Sequence, residues 1–315
     1  MKTLAAKTID GITELPTVPD GRSLLAVGCS YTNEYFKSKA HPEMDCSFTK
    51  WPTILGSQLG FDNVVNLGRS GNTNDAIFKN TQDYIIDNNK VDMICVLWTT
   101  VGRLNVHDIE NVNWNATYNS KFQKTKDGAP TTILKHHPRG IEPKDPFTVK
   151  TMRIFNLEKF TDIVENNYLK LAHEHLRNIF MLNQFSRYNN IPIYHMQGVP
   201  AYVPYLSTLP GPSGPGDTHP DWMEWYYPSL EWKERKRKEY LKALMHSKYF
   251  SILEKQTNIW GWPFERELAG THINSEFTEE HIISEKDKHP NAKGHQLIAS
   301  KFMEIINENT ISSRL

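Results

Sequence analysis

Three short segments carry residue types that could do acyl chemistry together. Leu24-Leu25-Ala26-Val27-Gly28 is an apolar run that turns through Cys29 and presents Ser30, followed by Tyr31 and Thr32. Near the other end, Asp287-Lys288-His289-Pro290-Asn291 sets a carboxylate two residues before a histidine. A serine hydroxyl is a weak nucleophile until a base takes its proton, and a histidine base works best when a carboxylate holds its tautomer. Between the two lies Asn66-Leu67-Gly68-Arg69-Ser70-Gly71-Asn72-Thr73, a glycine-rich turn between an apolar strand and a helix. The chain thus holds a candidate nucleophile (Ser30), base (His289) and acid (Asp287). Glu285 is a second candidate acid, and His295 a second candidate base.

These residues need a scaffold that brings distant segments together. Short apolar runs alternate with helical periodicity, the pattern of an α/β layer fold with a mostly parallel sheet. Strands are expected at Leu24–Gly28, Val64–Leu67, Met93–Trp98, Ile191–Met196 and Asn258–Trp262, making a five-stranded sheet. Helices are expected over Trp51–Leu59, Thr73–Asn89, Glu158–Asn189 and Asn291–Asn307, with Pro290 or its neighbours marking the start of the last one. Ser30, Gly71 and Thr100 each follow a strand end, and ligands of open α/β sheets bind at that edge.

The three segments together resemble the SGNH (GDSL-like) hydrolase family, over roughly residues 22–105 and 255–308, and in particular the divergent forms met in tailed-phage genomes. Gly28 to Thr32 is similar to the family's first block, Asn66 to Thr73 to its second, and Asp287 to Asn291 to its last. The resemblance implies a flavodoxin-like three-layer α/β/α sandwich, a Ser30–His289–Asp287 triad, and an oxyanion hole that uses Gly71. Two features depart from the family pattern. Its third block has a Gly-x-Asn-Asp run whose asparagine completes the oxyanion hole; here Trp98-Thr99-Thr100-Val101-Gly102-Arg103 stands instead, with Thr100 nearest that position. Its last block has Asp three residues before His; here that position is Lys286. Side-chain donors to the oxyanion or substrate are then sought in Thr100, Asn72 and Arg103.

Composition narrows the function further. The 36 basic and 36 acidic side chains balance, which argues against a general nucleic-acid binder. Lys233 to Lys238 is a local basic run that reads as a solvated helix face. No apolar run approaches the length of a membrane span, and the N-terminus carries no signal-peptide pattern, so a cytoplasmic or virion-assembled protein is expected. Three cysteines give no disulfide framework. The thirteen histidines show no metal-ligand spacing, so no metal or other cofactor is expected.

The chain is expected to form a single domain over 1–315 with two insertions, at about 106–152 and 198–232, both leaving the sheet on the edge that carries Ser30. The second is dense in aromatics, among them Tyr202, Tyr205, Trp222, Trp225, Tyr226 and Tyr227. Flat aromatic faces suit the apolar C–H patches of sugar rings, and Trp222 and Trp225 are candidate substrate contacts. The same aromatics would also serve as packing beneath a long loop. The resulting expectation is a serine esterase acting on an O-acyl (acetyl) group of a carbohydrate. A non-catalytic glycan-binding or virion protein on a hydrolase scaffold, and an O-acyltransferase, are the alternatives.

Overall fold

The computed structural model describes residues 1–9, 12–14, 16, 20–38, 40–88, 91–101, 157–199, 201, 242–262 and 271–312, with four short strands between 104 and 131. Its sheet has six parallel strands: β1 (Lys2–Ala5), β2 (Ser23–Gly28), β3 (Asn63–Asn66), β4 (Met93–Trp98), β5 (Ile193–Gln197) and β6 (Ile259–Trp260). Their order across the sheet is β1-β3-β2-β4-β5-β6, and each neighbouring pair is parallel. Leaving β1 aside, this is a doubly wound order whose direction reverses between β2 and β4. Ser30 follows β2 at that reversal.

The sheet has one strand more than the sequence implied. Lys2-Thr3-Leu4-Ala5 is a short edge strand with mixed polarity, and its pairing with Asn63–Asn66 is what makes it a strand at all. The other five stand where expected to within two or three residues. β5 begins at Ile193 because Pro192 lacks the N–H a ladder needs.

Among the described residues five helices cover the faces: α1 (Trp51–Gln58), α2 (Asn74–Asn88), α3 (Leu157–Asn189), α4 (Lys248–Leu253) and α5 (Ala292–Ser312). Side chains alternate across a strand, so a strand buried on both faces reads as a continuous apolar run. In β2, Leu25 and Val27 face α2 and α3, packing with Ile77, Tyr84, Leu176 and Ile179. Leu24 and Ala26 face the other way, toward Trp51 and Leu55 of α1 and Ile298 and Phe302 of α5. The fold is therefore a three-layer α/β/α sandwich, and both layers grip the strand that carries Ser30. Truncating Leu24 or Leu25 to alanine at 0% exposure removes about 2–5 kcal/mol.

The expected insertions are described only in part. Two antiparallel pairs, Leu104–His107 with Asn113–Ala116 and Gln123–Lys124 with Pro130–Thr131, lie in or beside the first. Arg103, Trp222 and Trp225 lie outside the described residues.

Candidate active site

Ser30 sits on a tight helical turn that starts as β2 ends. Cys29 O accepts from the N–H groups of Thr32 (3.0 Å) and Asn33 (3.1 Å), which leaves Ser30 at the head of the turn. Its residue exposure is 9%, well below that of an open turn serine. Across from it, Asp287 and Ser284 close a turn through reciprocal backbone hydrogen bonds of 3.1 and 3.0 Å. Asn291 caps α5, its Oδ1 accepting from Lys293 N (2.9 Å) and Gly294 N (3.2 Å). Pro290 consequently stands before the cap and not inside the first helical turn. The fixed loop between that turn and that cap carries His289.

The geometry joins three residues from opposite ends of the chain. His289 Nε2 lies 2.9 Å from Ser30 Oγ, and His289 Nδ1 lies 2.5 Å from Asp287 Oδ1. The backbone N–H of His289 donates to the same carboxylate oxygen at 3.2 Å. An ionised carboxylate only accepts, so Nδ1 carries the imidazole proton and Nε2 is left to accept from Ser30. Burial alone raises the Asp287 carboxyl, and the hydrogen bonds and charge of His289, with the Ser38 hydroxyl, more than offset it; the net result is a value of about 2. Asp287 is thus a firm carboxylate at neutral pH.

The competing candidates fall elsewhere. Glu285 is exposed. His295 is 2% exposed, and its Nδ1 accepts from Trp51 N at 3.3 Å. Burial, then the nearby charge of Lys50, pushes His295 well below the usual imidazole range, so it packs as a neutral ring.

The second turn approaches the first closely. Asn72 N donates to Arg69 O at 3.1 Å, closing a turn whose third residue, Gly71, has φ +86°. That conformation is open to glycine and strained for other residues. Gly68 presses on the loop after the nucleophile, where a Cβ would stand 2.4 Å from Thr32 C. Among the described residues, neither the Ser30 nor the Gly71 N–H has a hydrogen-bond partner. Both remain able to donate to a reacting oxygen.

Two side chains expected to donate to the oxyanion or substrate, Thr100 and Asn72, have protein partners in this structure. Thr100 is 4% exposed, and its hydroxyl donates to Ala201 O at 2.9 Å, so its proton points into the protein fabric. Asn72 is 1% exposed and its amide donates to Gly28 O at 3.0 Å. It ties the glycine turn to the end of β2 and does not face solvent, as a substrate contact must.

Several further residues hold the site together. Asn66 donates to Thr32 O (2.8 Å) and accepts from Gly68 N (2.9 Å), linking the first two turns. Asn74 and Thr99 exchange bonds of 2.9 and 3.0 Å, linking α2 to the end of β4. The Phe36 ring lies 4.4 Å from the His289 ring, and Tyr31 meets His289 edge-on at 5.5 Å. The Tyr31 hydroxyl donates to Asn274 Oδ1 at 2.6 Å and approaches Lys288 O at 3.2 Å. The run Asn66, Asn72, Asn74 was the one readable hint, since asparagines flanking a turn often bond its backbone.

Among the described residues no group of three or more His, Cys, Asp or Glu could hold a metal ion, and no helix is long and apolar enough to cross a membrane. The three cysteines are free and buried. A cavity of about 560 Å³ opens at the opposite edge of the sheet, lined by Asn183, Arg187, Ile193, Lys255 and Asn258 among others. It is separate from Ser30.

No family model matches the chain, and no curated protein matches it by sequence. Solved structures that align with it include a mutant of Axe2, an acetyl-xylooligosaccharide esterase from Geobacillus, at 14% identity over 92% of this chain and 96% of that one, with a TM-score of 0.33. LAE5, an alpha/beta hydrolase from the metagenome of Lake Arreo, Spain, aligns at 14% identity over 90% and 94%, with a TM-score of 0.34. A catalytic mutant of Axe2, an acetylxylan esterase from Geobacillus stearothermophilus, aligns at 14% identity over 92% and 96%, with a TM-score of 0.32. Likenesses at this level assign neither a family nor an activity to this chain.

Proposed function

We propose that this protein is a serine ester hydrolase of the SGNH type. The observation that carries the reading is the unbroken relay from Asp287 Oδ1 through His289 to Ser30 Oγ, at 2.5 and 2.9 Å, beside two backbone N–H groups without a partner among the described residues. In the first step Ser30 Oγ attacks the ester carbonyl while His289 Nε2 takes the hydroxyl proton. The oxyanion that forms accepts from the Ser30 and Gly71 N–H groups. The tetrahedral intermediate collapses, the alcohol leaves with the proton from His289, and the acyl group stays on Ser30. Water, deprotonated by His289, then releases the carboxylic acid and restores Ser30.

Asp287 acts through His289. It holds the proton on Nδ1 and stabilises the imidazolium formed in each step. An oxyanion donor removed from such a site costs about 2.7–4 kcal/mol. The Thr100 hydroxyl donates to Ala201 O, so in this reading the hole consists of the two backbone donors, with Arg103 the remaining side-chain candidate.

The substrate we favour is an O-acyl (acetyl) group on a carbohydrate. Its support is the aromatic density of residues 198–232 in the sequence, which come directly after β5. Transfer of the acyl group to a sugar hydroxyl would use the same relay. The test is incubation with short-chain aryl esters and with acetylated oligosaccharides, beside Ser30→Ala. Released acetate that vanishes in the variant supports hydrolysis; acetyl moved to a second sugar indicates transfer. Glycan binding without turnover by the wild type would favour a binding protein on this scaffold.

A further inference from the structure

The segment that follows the nucleophile does more than leave the site. Residues 31–38 and 40–41 lie against the acid–base loop and its neighbours, touching them through four side chains: Tyr31 at Asn274 and Lys288, Phe36 at the His289 ring, Ser38 at Asp287, and His41 at Ser284. Of these, the contact made by Ser38 is the one that falls on the functional carboxylate itself.

Ser38 is 4% exposed, and its hydroxyl donates to Asp287 Oδ2. The same Oγ accepts from His41 N at 3.0 Å. A hydroxyl has one proton, and with a lone pair engaged by the His41 N–H that proton is directed at the carboxylate. Beyond it the contacts close a ring. His41 Nε2 lies 2.7 Å from Ser284 Oγ, and Ser284 Oγ accepts from Asp287 N at 3.0 Å. Ser38, Asp287, Ser284 and His41 therefore hold one another across 249 residues of chain.

We propose that Ser38 is the positioning residue of this site, fixing the Asp287 carboxylate so that Oδ1 faces His289 Nδ1. The last torsion of an aspartate is broad and roughly two-fold, so a carboxylate bound at one oxygen only can swing. His289 engages Oδ1 alone, through Nδ1 and its backbone N–H. Ser38 engages Oδ2 and removes that freedom. Its hydroxyl also favours the ionised carboxyl, in the same direction as His289. A serine that only closed the turn to His41 would need its lone pair and not its proton; the bond to Oδ2 is what such a role leaves unexplained.

The proposal rests on the serine-hydrolase reading for its kinetic consequence, but the Asp287–His289 bond can be observed without turnover. The experiment compares wild type, Ser38→Ala and Ser30→Ala by aryl-ester kinetics, thermal melting and proton NMR of the downfield His289 Nδ1–H. A hydrogen bond to a charged group acts at a level of roughly tenfold or more in rate. Ser38→Ala is expected to fold and melt cooperatively at a somewhat lower temperature, since it loses a buried hydroxyl, lower kcat at least about tenfold with KM within about twofold, and move or broaden the Nδ1–H resonance. A folded Ser38→Ala with wild-type kcat and an unmoved resonance overturns the proposal. If Ser38→Ala does not fold, Ser38→Thr takes its place: a wild-type resonance supports the role, and a folded variant that keeps its hydroxyl yet loses the resonance overturns it. Activity surviving in Ser30→Ala would sink the hydrolase reading while leaving the NMR comparison to decide the role of Ser38.

Discussion

Replacing Asp287 with asparagine changes one atom and should disable the site. The carboxylate is 7% exposed and accepts from His289 Nδ1, His289 N and Ser38 Oγ. An asparagine has only one accepting end. If its NH₂ turns toward His289, Nδ1 must accept, the imidazole proton moves to Nε2, and Ser30 loses its base. If the NH₂ turns toward Ser38, the Ser38 proton loses its buried acceptor and the hydroxyl must turn away, which frees the side chain to flip. Loss of the correct tautomer in a serine triad lowers kcat by about 10⁴, or about 5 kcal/mol of barrier. Glu285→Gln, at an exposed position, should stay within about twofold of wild type. The substitution also predicts a stability signature. The folded carboxyl stands at about 2 against an ordinary 3.8, a difference of about 2 kcal/mol. A depressed acid stabilises the fold above its unfolded value, and that contribution fades as pH falls from about 4 through about 2. The gap between wild type and Asp287→Asn in urea melts should therefore be full at pH 6 and shrink by about 2 kcal/mol near pH 2. Steady-state hydrolysis of an aryl acetate measures the kinetic half. A larger loss in Glu285→Gln than in Asp287→Asn, or a stability gap flat across pH, would refute the assignment of the acid.

Gly71→Ala should cost about 1 kcal/mol of stability for the strain at φ +86° and lower kcat about 10–100-fold by turning an oxyanion N–H, as melting and aryl-ester kinetics would show. Thr100→Val should leave turnover within about threefold while costing about 1 kcal/mol of stability, because the hydroxyl bonds Ala201 O, which still accepts from Val101 N. Trp222→Ala or Trp225→Ala should weaken hydrolysis of acylated polysaccharide more than of a small aryl ester, since remote contacts position only large substrates. Equal loss on both substrates would mean a collapsed loop.

The strand ends and the residues that follow them were legible because a strand buried on both faces reads as an unbroken apolar run. Leu24–Gly28 and Met93–Trp98 needed no more than that, and the Asp-x-His pair ahead of an amphipathic helix was equally local. The edge strand Lys2–Ala5 was not legible, because four residues of mixed polarity become a strand only when β3 is there to pair with. Ser38 was invisible for a similar reason: nothing around it marks a partner 249 residues away. Thr100 shows the converse case. Its type and place after β4 suited an oxyanion donor, but the direction of a hydroxyl proton is set by the nearest acceptor, and here that is a carbonyl that only three-dimensional folding brings close. Asn72 followed the same rule at Gly28 O.

The central claim is that Ser30 is a nucleophile activated by His289 and Asp287, and covalent trapping tests it most directly. An aryl organophosphonate incubated with the protein, followed by peptide mapping, should label Ser30 with one equivalent, and His289→Ala should slow that labelling by several orders of magnitude. No labelling at all, a label on another residue, or labelling of Ser30 at an unchanged rate in His289→Ala would contradict the account.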